Sequence, residues 1–255
     1  MAMKLIIGGA LGRMGQELEK AAREEGWEVV CGVDVAYSGQ AAQHDMVTGF
    51  EQVKADADVL VDFSRPDALP ELLALLRARK LPAVLCATGY TDEELREIQA
   101  VSTQVPILRS ANMSLGVSVM QELVAMAART LEGFDIEIVE KHHNQKADSP
   151  SGTALMLYEA ARGSIGPEAQ PVFGRYGRTQ KRVPGEIGIH AVRGGSVTGE
   201  HEVGFYGPGE QVLITHRAES RALFARGALR AARYVADKPP ALYSMRDVVR
   251  EMLGL

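Results

Sequence analysis

Lys4-Leu5-Ile6-Ile7 is a short apolar run that stops at a glycine-rich turn, Gly8-Gly9-Ala10-Leu11-Gly12-Arg13-Met14-Gly15, after which Leu18, Ala21 and Ala22 recur at helical spacing. No other stretch restricts the fold as strongly. A strand, a turn lined by small residues and a helix starting inside that turn predict the first βα unit of a parallel sheet. The helix's first amide groups would face an anion. The glycines follow G-x-x-G-x-x-G rather than the usual G-x-G-x-x-G, so context carries the reading more than spacing does. A second run, Glu28 to Val33, ends in Asp34, 19 residues beyond Gly15, where an acid that accepts hydrogen bonds from a ribose belongs.

These residues predict a dinucleotide site. Gly9, Ala10, Gly12, Arg13, Met14 and Gly15 form the cofactor turn, and Asp34 takes the ribose. The Asp34 charge suits a 2′-hydroxyl and repels a 2′-phosphate, and Val35, Ala36 and Tyr37 include no arginine to receive one. NADH is therefore the expected donor. NADPH stays open as a second donor, because Arg13 can partly compensate.

The βα alternation continues. Asp58 to Phe63 predicts a third strand, and Ser64-Arg65-Pro66 opens a helix carrying Leu69, Leu72, Leu73 and Leu76. Pro82 to Ala87 predicts a fourth strand, Thr91-Asp92-Glu93-Glu94 a capped helix start, and Val105 to Leu108 a fifth strand. Loops leaving the C-terminal ends of parallel strands line the ligand crevice. That makes Phe63, Ser64, Arg65, Thr88, Gly89, Ala111, Asn112 and Met113 candidates for cofactor contact, although each taken singly also fits ordinary turn chemistry.

From Ser114 the pattern changes. A long apolar helix to Leu131 leads to Phe134, Ile136, Ile138 and Val139, a strand expected to deliver His142, His143 and Lys146 into a polar loop beyond its end. Ser149-Pro150-Ser151-Gly152-Thr153 then caps a helix that begins at Ala154-Leu155-Met156-Leu157. Two imidazoles, an ammonium and a set of amide donors suit a small substrate that carries carboxylates and needs a proton. The alternative is a solvated loop in which Ser151 merely caps a helix. No metal site is expected, since adjacent histidines on an extended chain point apart and no acid or cysteine stands at zinc-like spacing.

Beyond Pro184, Ile187-Gly188-Ile189, Val192, Val197, Glu202 to Tyr206 and Gln211 to His216 read as strands without intervening helices, which predicts a mixed or antiparallel sheet. Gly174 to Pro184, with Arg175, Arg178, Lys181 and Arg182, reads as a connection whose charges are solvated. Helices at Ala222 to Val235 and Ser244 to Leu253 close the chain and are assigned to the first domain. The fold class is α/β: a parallel-sheet nucleotide-binding domain over 1–113 and 220–255, with an α+β domain carrying a mixed sheet over 114–219.

Composition narrows the partner. A net charge of −5 over 255 residues, with no block of Lys or Arg, argues against nucleic acid or an anionic membrane. Cys31 and Cys86 lie inside apolar runs and are expected to be buried packing residues. The N-terminal apolar run is too short for a secretion signal and no run reaches membrane-spanning length, so a cytoplasmic enzyme-sized protein is expected.

With these residues assembled, the chain resembles the 4-hydroxy-tetrahydrodipicolinate reductase family, long called dihydrodipicolinate reductases, along its whole length. Glu140 to Thr153 is similar to the family's E-x-H-H-x-x-K-x-D-x-P-S-G-T signature. Supporting stretches are Gly9 to Gly15, Asp62 to Pro66, Ala87-Thr88-Gly89, Ala111 to Ser114, Val192 to Gly195, Gly199-Glu200-His201 and Ser244 to Val248. The resemblance implies a Rossmann-like domain built from both chain ends, and a substrate domain whose sheets assemble a homotetramer. It also implies reduction of a cyclic dicarboxylate by NAD(P)H with loss of water, in the diaminopimelate route to lysine. By resemblance His142 is the general acid, Lys146 a second catalytic cation that orients substrate and is an alternative donor of the proton, and His143 a carboxylate contact. Ser151, Gly152 and Thr153 hold the other carboxylate, and Ala87 joins the cofactor contacts. Two departures stand out: Val35 where many members carry a basic residue, and Met113 where an aromatic beside the nicotinamide is frequent.

Two other readings compete. One is a nicotinamide-dependent reductase of a different carboxylated imine, and the other a dinucleotide-binding sensor without chemistry. A sensor has no need of His142 and Lys146 beside a helix end that holds carboxylates.

Overall fold

The computed structural model describes residues 2–178 and 181–254, and the chain divides into two compact units, one running to Leu115 and resuming at Arg221, the other spanning Gly116–Ser220. The first is built on seven strands: β1 (Lys4–Gly8), β2 (Glu28–Val33), β3 (Asp45–Val47), β4 (Val59–Asp62), β5 (Ala83–Leu85), β6 (Ile107–Arg109) and β12 (Leu242–Tyr243). They lie in the order β12-β6-β5-β4-β1-β2-β3, and every pairing is parallel.

Because strand side chains alternate between faces, each apolar strand supplies both sides of the sheet. Leu5, Ile7, Val59, Val61 and Val84 pack on one side with α1 (Arg13–Glu24), α6 (Ala222–Ala236) and α7 (Met245–Met252). Ile6, Leu60, Ala83 and Leu85 pack on the other with α2 (Leu69–Arg79) and α3 (Asp92–Ser102). Both cysteines are buried and free.

Helix starts follow local chemistry. Thr91 and Glu94 form the reciprocal capping box expected at α3, and Ser244 and Asp247 form another at α7. Ser64-Arg65-Pro66 does not open a helix directly: Pro66–Ala68 is a single 3₁₀ turn, and the α-helix begins at Leu69.

The second unit holds α4 (Leu115–Thr130), β7 (Asp135–His142), α5 (Gly152–Ile165), β8 (Gln170–Phe173), β9 (Glu186–Arg193), β10 (Glu200–Gly207) and β11 (Glu210–Arg217). The sheet order is β11-β10-β7-β9-β8, antiparallel on one side of β7 and parallel on the other. Its inner face, with Ile136, Ile138, Ile187, Ile189, Val203 and Phe205, packs under Met120, Val124 and Ala128 of α4 and Ala154, Leu157 and Ala161 of α5.

Three expectations need correction. Val197 is in a loop, not a strand, and β8 was not foreseen, its Pro171 being tolerated because β8 lies at the sheet edge. The arginines of the 174–184 connection are not simply solvated. Arg175 pairs with Glu186 and Glu137, while Arg182 binds Asp135, Glu137 and the carbonyl of Glu186. Those acids line the start of β7 and β9, so the connection is tied down by charge. Thr179 and Gln180 of that stretch lie outside the described residues.

Candidate active site

In the first unit a cavity of ≈ 510 Å³ opens over the C-terminal ends of β1 and β2. Gly9, Gly12, Asp34, Phe63, Ser64 and Arg65 line it, so six of the residues expected to hold a dinucleotide meet at one place. The glycines are required by geometry. Gly9 has φ +70°, and a Cβ there would sit 2.8 Å from the Phe63 carbonyl carbon. A Cβ on Gly15 would sit 2.2 Å from the Gly9 oxygen. The first turn of α1 has no side-chain cap, since Gly12 occupies the N-cap, leaving that end suited to a phosphate. Asp34 accepts the Leu11 N–H through one oxygen and the Ala36 N–H through the other, both at 2.9 Å. It therefore fixes the glycine turn against the end of β2. A glycine cradle, an uncapped helix and an acid at the cavity wall fit a pyridine dinucleotide.

The remaining expected cofactor residues are placed otherwise. Ala10 is buried under the turn, while Arg13 and Met14 begin α1. Thr88, Gly89 and Ala111 are exposed on loops, and Asn112 is half-buried. Ala87 and Met113 are buried, and Met113 packs in the core with Ala225, Ala228 and Leu229, so its side chain does not line this cavity. Sequence reasoning missed Thr48, Gly49 and Phe50, which supply another wall from the segment after the unforeseen β3. It also missed Asp67 and Glu71, which add acidic groups to the same lining.

In the second unit His142 is not in the loop. It is the last residue of β7, and its parity with Ile136 and Ile138 turns it to the buried face. His143 and Lys146 follow in the loop, half-buried, and Lys146 Nζ is 2.8 Å from Asp148 Oδ1. Gly152 and Thr153 begin α5 behind the N-cap Ser151, whose Oγ accepts the Ala154 N–H at 3.2 Å. The hydroxyl cap expected there is present.

The centre of this cluster is Glu140, fully buried. Its Oε1 accepts from Arg193 Nη2 at 2.7 Å and from the Ser151 N–H at 3.0 Å. Its Oε2 accepts from Arg193 Nη1 at 2.8 Å and lies 2.5 Å from His142 Nδ1. Arg193 also donates to the Asp148 carbonyl at 2.7 Å. Burial works to raise the Glu140 carboxyl, but Arg193, His142 and the Ser151 amide overcome it and hold the group below the usual carboxylate range.

For His142 the balance is reversed. Burial lowers its affinity for a proton, Lys146 and Arg193 lower it further, and Glu140 opposes them. His201 from β10 stands edge-on to His142, ring centroids 5.1 Å apart, with Nε2 3.0 Å from Ser151 Oγ. Burial, then His142, push His201 down to about 4. Arg193 and His201 stand in stretches that match the family, but the sequence alone assigns them no role. The signal that could have found them is strand parity: His201 shares its face with Val203 and Phe205 as His142 does with Ile138.

Comparison with known proteins finds matches over nearly the whole chain. The family model described as "Dihydrodipicolinate reductase, N-terminus" matches residues 3–113, and its C-terminal counterpart matches 116–249. A 4-hydroxy-tetrahydrodipicolinate reductase of Caldanaerobacter subterraneus subsp. tengcongensis is 47% identical over 252 residues, covering 98% of this chain and all of the relative. One from Clostridium novyi is 44% identical over 249 residues, covering 97% and 98%. In fold, the chain is similar to a dipicolinate-bound dihydrodipicolinate reductase from Paenisporosarcina sp. TG-14, with TM-score 0.80, 24% identity and coverage of 96% and 98%.

Proposed function

The chain belongs to the dihydrodipicolinate reductase family, and from that premise we propose which of its residues carry the reaction. The protein is a pyridine nucleotide-dependent reductase that converts 4-hydroxy-tetrahydrodipicolinate to tetrahydrodipicolinate with loss of water. This places it in the diaminopimelate route of lysine biosynthesis. When bound, the reduced nucleotide supplies the hydride. Gly9, Gly12 and the first amides of α1 hold its phosphates, Asp34 its ribose, and Phe63, Ser64 and Arg65 the adjoining wall of the cavity. NADH is the preferred donor, because Asp34, Asp67 and Glu71 all place negative charge in that lining.

Hydride addition to a conjugated imine leaves developing negative charge that an acid must quench. The observation that carries the assignment is His142, buried and hydrogen-bonded to Glu140, at the end of a strand facing the start of α5. In the free protein burial keeps this imidazole readily deprotonated. A substrate with two carboxylates brings opposite charge and raises its proton affinity, so His142 becomes charged when the acid is needed.

Lys146 and His143 orient one carboxylate. Gly152 and Thr153 present amide groups to the other. Ser151 Oγ already accepts the Ala154 N–H. With the His201 hydrogen on Nε2, it accepts a second bond and turns its own hydrogen toward the substrate. That choice leaves His201 Nδ1, which has no hydrogen-bond partner among the described residues, as a bare lone pair, cheaper to bury than an orphaned N–H.

The sheet face opposite α4 and α5 carries Val192, Tyr206 and Leu213, 47%, 37% and 47% exposed, with Val139 between them. That face also carries Glu137, Lys141, Glu200 and Glu202, so a homotetramer assembled through the second unit is inferred from the family resemblance, with these partly exposed apolar residues available to its interface. Two buried free thiols suit a reducing cytoplasm, and no helix among the described residues is long and apolar enough to cross a membrane.

The test generates substrate in place from pyruvate and aspartate semialdehyde with a synthase and follows NADH oxidation by absorbance. His142→Gln should lower kcat by roughly 10²–10⁴ with a smaller change in KM. Near-normal turnover would remove His142 from the role, and absence of turnover in the unaltered protein would refute the substrate.

A further inference from the structure

We propose that Glu140, clamped by Arg193, is a positioning residue that keeps a hydrogen on His142 Nδ1 and so makes Nε2 the atom that delivers the proton. The inference deepens the reading of His142 as general acid and rests on it.

An ionised carboxylate only accepts hydrogen bonds, so every group facing it must donate. Glu140 receives the two arms of the Arg193 guanidinium and the Ser151 amide, none of which can accept. The lone pair that remains faces His142 Nδ1 at 2.5 Å. A neutral carboxyl would have to turn an O–H toward one of these donors, or toward His142 in place of the charge that stabilises its protonated ring. The bidentate fork is the arrangement that most favours the charged form. With Nδ1–H so committed, the neutral ring has its lone pair on Nε2, and the protonated ring its transferable hydrogen there.

Nε2 is also the ring nitrogen left approachable. A Cβ on Gly199 would lie 3.1 Å from it, and glycine at that position leaves the space open. The charged and titratable groups around His142 come from four segments: Glu140 on its own strand, Lys146 from the loop, Arg193 from β9 and His201 from β10. Lys146 and Arg193 oppose the charged ring, the His201 ring offers it no counter-charge, and Glu140 alone favours it. A single carboxylate thus sets both which nitrogen holds the proton and how readily the ring is charged.

Glu140→Gln keeps the volume and presents an amide N–H₂ where a carboxylate oxygen stood. Two readouts test it: imidazole ¹⁵N shifts of His142 without substrate, assigned by difference with His142→Gln, and the pH profiles of kcat and kcat/KM. The unaltered protein should show hydrogen on Nδ1, and Glu140→Gln should transfer it to Nε2 in the neutral ring. Turnover should fall roughly 10²-fold with KM within about threefold, less than the ~10⁴ that a wrong tautomer costs in a Ser-His-Asp triad. The limb on which activity is lost at high pH should move to lower pH.

Glu140→Asp, which restores the carboxylate, should return both the Nδ1–H signature and the limb toward their original positions. If Glu140→Gln does not fold, Arg193→Lys gives the same readouts with smaller displacements in the same directions. Hydrogen remaining on Nδ1 in Glu140→Gln, or a loss of rate with an unmoved limb, would overturn the proposal. The NMR arm needs no turnover, so a failed substrate assignment shows as an inactive parent protein and leaves the tautomer result to be read separately.

Discussion

Asp62, the last residue of β4, is 1% exposed, and no cation among the described residues neutralises it. Its Oδ1 accepts the Ser64 N–H at 3.0 Å, and its Oδ2 has no hydrogen-bond partner among the described residues. Burial pushes its carboxyl from 3.8 to about 6, with Ser64 acting weakly the other way. Below about pH 3 the group is neutral in folded and unfolded chains alike and costs nothing. As pH rises toward 6 the unfolded chain releases this proton while the folded one retains it, so folding stability falls. At 1.36 kcal/mol per pH unit the loss reaches about 3 kcal/mol by neutrality, and roughly 2 kcal/mol of it falls between about pH 4.5 and pH 7.5. Asp62→Asn abolishes the titration and keeps the acceptor for Ser64, while leaving a neutral amide N–H₂ without a partner, a cost of about 1–3 kcal/mol that is independent of pH. The change in stability on substitution should therefore become more favourable by roughly 2 kcal/mol from the lower pH to the higher. Urea unfolding followed by fluorescence measures this in the right unit, because the single tryptophan, Trp27, is buried in the core beside the same sheet. A difference between Asp62→Asn and the parent that is constant across this range, or that becomes less favourable to the variant as pH rises, would refute the reasoning. The cost is tied to function: Asp62 holds the Ser64 amide, and through it the Phe63-Ser64-Arg65 wall of the nucleotide cavity.

Two further outcomes follow from the geometry and charge of the two sites. Gly199→Ala places a methyl 3.1 Å from His142 Nε2 without a positive φ to strain it, and should lower kcat about tenfold or more while the thermal midpoint hardly moves, since small misplacements at a reacting group are costly; unchanged turnover would show that Nε2 is not the working atom. The acidic lining should give NADH a kcat/KM about tenfold or more above NADPH, equivalent to ~1.4 kcal/mol, and Asp34→Ser should narrow that gap; a clear advantage for NADPH in the parent protein would end the assignment of Asp34.

Much of this architecture is legible in sequence because long elements repeat their signal. The turn from Gly8 to Gly15, the leucines of α2, the capping box of α3 and the alternation in β10 and β11 each announce themselves over many residues. What escapes is short. β3 has three residues, β12 has two and β8 contains a proline, so none offers enough alternation to read, and with β3 went the neighbouring wall at Thr48 to Phe50. In sequence Arg175 and Arg182 look solvated, because a run of cations usually is. Their partners Asp135 and Glu137 lie 38 to 47 residues away and come adjacent only through the sheet.

The active-site cluster was missed in part for a different reason, and the reason says how the fold makes the site. On β7 the residues facing the helices are Ile136, Ile138, Glu140 and His142; on β10 they are Phe205, Val203 and His201. Each stripe is apolar where α4 and α5 cover it and turns polar at one end, and antiparallel pairing sets His201 directly opposite Glu140. On the other side, parallel pairing sets Arg193 beside His142, within reach of Glu140. A one-residue slip in either ladder would carry His201 or Arg193 to the opposite face. It would leave a buried carboxylate without its cation, at several kcal/mol. The register that buries the isoleucines is thus the register that assembles the acid, and substitutions that loosen the core of the second unit should be felt at His142 before they are felt as unfolding.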